Sequence, residues 1–130
     1  MPSIHVESLI DAAPDKVWDV VGDWEHGPVR MAPGFVTASV LDGDARVVTF
    51  ANGAVARERF VDRDENRRRL VWNIVGGATL HHNGAMEVHE APTGQTRLTW
   101  TADVLPAEVA PTYEQMMQQG MALIARTLGR

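Results

Sequence analysis

Hydrophobic and polar positions along the chain change their period three times. The segment Ile4-His5-Val6-Glu7-Ser8-Leu9-Ile10 alternates, which puts Ile4, Val6, Ser8 and Ile10 on one face of a strand. Val17, Val20, Val21 and Trp24 then recur at helical spacing. Pro14 suits the first helical position, Asp15 sits in the first turn where the helix dipole favours an acid, and Gly22 marks the end. Residues 25–34 contain two Pro and two Gly, which permits a loop or one short helical turn. From Phe35 to Leu105 the period is two, broken by turn signals at Asp42-Gly43-Asp44, Asn52-Gly53, Asp64-Glu65-Asn66, Gly76-Gly77 and Pro92-Thr93-Gly94. This predicts six strands over 35–41, 45–51, 54–63, 67–75, 79–90 and 95–105. After Pro106 the helical period returns, and Tyr113, Met117, Gly120, Ile124 and Leu128 form one stripe of a long amphipathic helix over 107–128. Neighbouring strands joined by short turns pair antiparallel, so the expected fold class is α+β: one domain over residues 1–130, a twisted seven-stranded sheet closing around the last helix.

Alternation assigns each strand a face. Leu98, Trp100, Ala102 and Val104 point inward, as do Leu70, Trp72 and Ile74, and Leu80, His82, Gly84, Met86 and Val88. In 54–63, Arg57, Arg59 and Arg63 take the outer face, which leaves Ala54, Ala56, Glu58 and Phe60 inside. Glu58 is thus a carboxylate on a core-facing row, and it must find a cation or neutralise. If Ala51-Asn52-Gly53 is a three-residue loop with Gly53 left-handed, Arg46 stands opposite Glu58, and Val48 and Phe50 face inward. A two-residue Asn-Gly turn would instead pair Val47 with Glu58 and expel Phe50. The first register keeps the apolar row consistent. His82, set among apolar neighbours, is expected to exchange a proton near neutral pH.

Composition then narrows the chemistry. Seventeen acids against twelve bases leave a net charge of −5, which repels phosphate backbones, so no nucleic acid partner is expected. The run Arg67-Arg68-Arg69 with Arg57 and Arg59 reads as a solvated outer face balanced by Asp62, Asp64 and Glu65. Cysteine is absent from the sequence, which removes disulfides, thiolate metal sites and Cys nucleophiles. His81 and His82 point to opposite faces with no acid at ligand spacing, so no metal is expected. No apolar run near the length of a membrane span occurs, and the N-terminus lacks the basic and apolar regions of a signal peptide. A cytoplasmic protein is the expectation, as a monomer or homodimer. Phosphate-binding glycine loops, serine-hydrolase elbows and zinc-protease helices have no counterpart here.

Several segments in one order carry a resemblance: AAPDKVWDVVGDW (12–24), PGFVTASVLDGD (33–44), NGAVARERFVDRDE (52–65), RRLVWNIVGG (68–77) and GQTRLTWTADVLP (94–106). Together they resemble the SRPBCC superfamily, which includes START lipid-transfer domains and birch-pollen-allergen-like proteins, and within it the bacterial polyketide cyclase/dehydrase branch. The resemblance implies a helix-grip fold, in which the C-terminal helix lies across a curved sheet and closes an elongated apolar cavity. Where such relatives often carry an aromatic before the Pro-Gly, this chain has Met31-Ala32-Pro33-Gly34. The superfamily hosts carriers, receptors, cyclases and dehydratases, so the fold alone selects no activity.

Two functional readings follow. In the first, the cavity binds a small hydrophobic or aromatic, polyketide-like molecule and catalyses cyclisation or dehydration without a cofactor. His82 or Glu58 moves a proton, and Arg46 stabilises an enolate oxygen. In the second, the protein is a non-catalytic carrier or sensor of a lipid-like ligand, and Arg46 and Glu58 are a structural ion pair. Either way the expected ligand-binding residues are Trp24, Met31, Phe50, Phe60, Trp72 and Met86, with Trp100 on the last strand and Tyr113, Met117, Gly120 and Met121 on the last helix. Gly120 is singled out because a mid-helix Gly costs about 1 kcal/mol relative to Ala, and on the sheet-facing side its missing side chain would leave room for a ligand.

Overall fold

The computed structural model describes residues 2–129. Its strands are β1 (Ser3–Ile10), β2 (Val36–Asp42), β3 (Ala45–Phe50), β4 (Val55–Asp64), β5 (Arg69–Ile74), β6 (His81–Glu90) and β7 (Thr96–Leu105). They form one antiparallel sheet in the order β1-β7-β6-β5-β4-β3-β2, so β1 closes onto the last strand and β2 is the far edge. Helices α1 (Pro14–Val21) and α2 (Gly27–Met31) bridge β1 and β2, and α3 (Ala110–Leu128) follows a single 3₁₀ turn at Ala107–Val109. This is the helix-grip arrangement that the sequence pattern implies: a curved sheet with the long helix laid across its inner face.

Local chemistry explains the main joints. Pro14 opens α1 and Asp15 lies in its first turn, as the dipole prefers. The Thr96 hydroxyl donates to the Ala12 carbonyl at 2.7 Å and ties the start of β7 to the entry of α1. Between β3 and β4, Gly53 adopts φ +90°, the Phe50 N–H donates to the Ala54 carbonyl, and Asn52 Oδ1 accepts from the Ala54 N–H. The loop therefore has three residues, and Arg46 faces Glu58 with Val48 opposite Ala56.

Two expectations fail locally. Leu80 was expected inside but is 86% exposed, because the loop through Gly76 and Gly77 runs on to His81 before the inward alternation begins. Arg63 was expected on the outer face with Arg57 and Arg59. A bulge between Phe60 and Asp62 adds one residue to β4, so Phe60 faces Trp72 while Arg63 faces Leu70, both inward positions. Arg63 then reaches back over the Trp18 ring, 5.0 Å from its centroid, and donates to the Gly22 carbonyl at 2.9 Å. The basic outer face is indeed charge-matched, but by acids on other elements: Arg57 pairs with Asp42 and Arg68 with Asp15, rather than with Asp62 or Asp64.

The core is one cluster between the sheet and the helices. Ile4, Val6, Ile10, Leu98, Val17 and Met121 fill the space beneath β1, β7 and α1, and Val21 and Ile124 stand at its border with the open half. The space beneath β3, β4 and β5 is not filled in the same way.

Candidate functional site

That second region is a cavity of about 720 Å³ between α3 and the inner face of β3–β6. Its wall is mostly apolar: Val48 and Phe50 from β3, Trp72 and Ile74 from β5, Met86 from β6, Trp100 from β7, and Met116, Met117 and Gly120 from α3. Cross-strand register sets Ile4, Ala102, Gly84, Trp72 and Phe60 in one row across five strands, of which Trp72 reaches the cavity. Gly84 is the pivot of that row. A Cβ there would lie 3.0 Å from both the Trp72 indole and the His82 ring, so the missing side chain is what lets the two rings settle beside each other.

Four ionisable side chains interrupt the apolar wall, beside the uncharged polar Asn52, Thr112, Gln115 and Gln119. Arg46 (4% exposed) donates from Nε to Glu58 Oε1 at 2.8 Å and from Nη1 to the Trp24 carbonyl at 3.0 Å. Its guanidinium carbon lies 4.0 Å from the Trp24 ring centroid and 5.5 Å from that of Trp72, the geometry of a cation held against aromatic faces. Glu58 (8% exposed) completes the pair from β4. His82 (5% exposed) lies 5.5 Å, ring to ring, from Tyr113, and its Nδ1 has no hydrogen-bond partner. Burial pushes its pKa down from 6.5 to about 4, opposed by a weaker contact with its own backbone carbonyl, so the imidazole is neutral at physiological pH. The sequence expectation of proton exchange near neutrality is thereby corrected: the apolar row that turns His82 inward also strips it of water. Burial likewise pushes the Tyr113 phenol up; the Thr79 hydroxyl opposes that shift and the Glu58 charge adds to it.

The eleven expected ligand-binding residues separate into two groups. Met31, Phe50, Trp72, Met86, Trp100, Tyr113, Met117 and Gly120 line the cavity. Trp24, Phe60 and Met121 do not. Trp24 lies against the Arg46 guanidinium and meets Phe60 edge to face at 5.4 Å. Phe60, expected inside, is 40% exposed, and Met121 belongs to the buried core cluster. The space over Gly120 is taken largely by protein, because a Cβ would lie 3.2 Å from the Trp100 ring and 3.5 Å from Phe35. Phe35, packed edge to face on Phe50 at 5.6 Å, is a lining residue that the sequence reasoning did not select. Its signal was its position, an aromatic directly after Pro33-Gly34 at the start of an inward-facing strand. Met116 and Gln119, on the helix face next to the main stripe, were also missed as lining residues.

A curved antiparallel sheet gripping a long helix over a largely apolar chamber defines a helix-grip ligand-binding domain of the SRPBCC type. The chain belongs to the family described as polyketide cyclase/dehydrase and lipid transport, whose model matches residues 1–129. Solved structures share the fold at low identity. XoxI of Bacillus cereus superposes with a TM-score of 0.86 at 17% identity over 98% of this chain and 96% of its own. Norcoclaurine synthase of Thalictrum flavum, solved with a transition-state analogue, gives 0.73 at 19% identity over 98% and 93%. The di-domain ARO/CYC protein BexL of the BE-7585A biosynthetic pathway gives 0.83 at 13% identity, covering 98% of this chain and 46% of BexL. No curated protein matches the sequence significantly. Among the described residues, no helix is long and apolar enough to cross a membrane.

Proposed function

We propose that this protein binds a small hydrophobic or aromatic, polyketide-like molecule in the cavity beneath α3 and promotes its cyclisation or dehydration without a cofactor. The observation that carries this reading is the cavity of about 720 Å³ whose largely apolar wall carries four ionisable side chains, Arg46, Glu58, His82 and Tyr113, beside the uncharged polar Asn52, Thr112, Gln115 and Gln119. An apolar chamber with a few convergent polar groups is the usual form of a small-molecule site. Folding a flexible, reactive chain in such a chamber removes much of the entropic part of a ring-closure barrier. His82, uncharged and lacking a protein partner for Nδ1, is placed to accept a proton rather than to supply one. The membership of a cyclase/dehydrase family and the likeness to BexL and norcoclaurine synthase support this direction.

A carrier reading has an observation of its own. Arg46 and Glu58 are engaged with each other and with the Trp24 carbonyl, which is the pattern of a structural pair. Mass spectrometry of small molecules that co-purify with the protein, followed by incubation of the recovered compound with fresh protein, tests both. A ring-closed or dehydrated product whose rate falls by about 10²–10⁴ in His82→Gln, at nearly unchanged affinity, supports catalysis. A compound that is bound and released unaltered supports the carrier.

A further inference from the structure

The polar groups in the cavity wall are unequal in what they offer a ligand. Among the described residues, Arg46 is the one Arg or Lys in that wall. Its positive charge is matched by Glu58 at 2.8 Å, its Nη1 is spent on the Trp24 carbonyl, and two indole rings flank it. The other ionisable groups of the wall favour a hydrogen-bond donor, while Asn52, Thr112, Gln115 and Gln119 are uncharged and can act either way. Glu58 as a carboxylate only accepts, a neutral imidazole keeps one accepting nitrogen, and the Tyr113 hydroxyl can act either way. His82 also has a wall position, near-complete burial and an unpartnered ring nitrogen. A ligand carboxylate brought into this chamber would add a second negative charge beside Glu58, in a medium that screens it poorly and with the only cation already paired. A hydroxyl on a ring would meet acceptors.

We propose that the cavity selects an uncharged ring system bearing a hydrogen-bond-donating hydroxyl, a phenol or an enol, and discriminates against a carboxylate on the same ring. His82 and Glu58 are the accepting groups, and Arg46 is a matched counter-charge rather than an anchor for an anion. The proposal rests on the reading of the cavity as a ligand site and specifies its polarity: fatty acids and aromatic acids are poor occupants, and neutral polyhydroxylated rings are good ones.

Four probes on one frame test it with the full chain near neutral pH: pyrene, methoxypyrene, hydroxypyrene and pyrenecarboxylate, followed by energy transfer from the tryptophans and by calorimetry. Hydroxypyrene is expected to bind about tenfold or more tightly than pyrenecarboxylate, and several-fold more tightly than methoxypyrene, which cannot donate. Equal affinity for hydroxypyrene and pyrenecarboxylate, or for hydroxypyrene and methoxypyrene, overturns the proposal while leaving the cavity as a ligand site. Failure of every probe, pyrene included, overturns the ligand-site reading itself and the proposal with it. In Glu58→Gln the charge of Arg46 is no longer matched, so the preference for hydroxypyrene over pyrenecarboxylate should shrink or invert; an unchanged preference in the folded variant counts against the proposal. If Glu58→Gln does not fold, His82→Leu provides the second variant, and it should erase the advantage of hydroxypyrene over methoxypyrene.

Discussion

The two halves of the sheet's inner face are built from similar residues yet do opposite things. Beneath β1 and β7, Ile4, Val6, Ile10 and Leu98 pack in one buried cluster with Val17 and Met121, and the space is filled, with Val21 and Ile124 at its border with the cavity. Beneath β3 to β5, the inward residues are at least as bulky, but their rings lie down over small positions, Trp72 and His82 over Gly84 on β6 and Trp100 over Gly120 on α3. Large rings over small neighbours leave a chamber, whereas branched aliphatics of matched size close one. Apolar character decides which face is buried, and the alternation of volumes decides whether burial ends in contact or in a cavity.

The largest expected effect breaks the hollow half at its polar hinge. Arg46→Met leaves Glu58 as an unpaired buried carboxylate and should cost about 3–5 kcal/mol, while Arg97→Met, which removes an exposed partner 3.5 Å from Glu7, should cost under about 1 kcal/mol. Equal denaturation midpoints for the two variants would contradict the buried pair. In the filled half, Leu98→Ala opens a void among branched side chains and should cost about 2–4 kcal/mol, measured by chemical denaturation, with little change in ligand affinity. A comparable loss of affinity would mean that the halves are not separate.

How much of this contrast was legible follows from what a sequence encodes directly. The period of two, the turn residues and the three-residue loop at Gly53 fixed the strand faces and the Arg46–Glu58 pairing, because these depend on neighbours in the chain. Leu80 and Arg63 were misassigned where a loop ran longer and a bulge added a residue, events that alternation does not announce. Trp24 and Met121 were misplaced for a different reason: inward says nothing about which of two adjacent compartments a side chain enters, and Phe60 keeps its register opposite Trp72 yet remains 40% exposed. The lowered pKa of His82 depends on surrounding atoms that the chain brings from β5 and α3, and no local pattern carries that.

A smaller effect sharpens the electrostatic side. The folded pKa of His82, about 4, lies below its unfolded value near 6.5, so the unfolded chain binds the extra proton between those limits. Stability therefore falls as pH drops through that window, by about 2 kcal/mol between about pH 7.5 and 5, and His82→Leu should flatten this slope. Thermal melts across that range measure it; an identical slope in the variant would locate the titrating group elsewhere. The smallest effect is at Gly120. Gly120→Ala should gain up to about 1 kcal/mol of helix stability, since the Trp100 ring 3.2 Å away can yield into the cavity, while ligand affinity falls. A melting temperature lowered by the substitution would show that Trp100 cannot move.

The bulge in β4 has a consequence for how this domain can change over time. One extra residue shifts the in-and-out frame of everything after it, much as an insertion shifts a reading frame. The strand upstream presents Glu58 to the chamber, and the strand downstream presents Arg63 to Trp18 and the end of α1. Ligand preference can therefore be rewritten at one end of the strand without disturbing the clasp that fixes the helix at the other. A one-residue deletion at Val61 would take out the bulge yet leave Arg63 opposite Leu70, so the clasp keeps its inward face and what the strand loses is the local bend and twist that the bulge supplies.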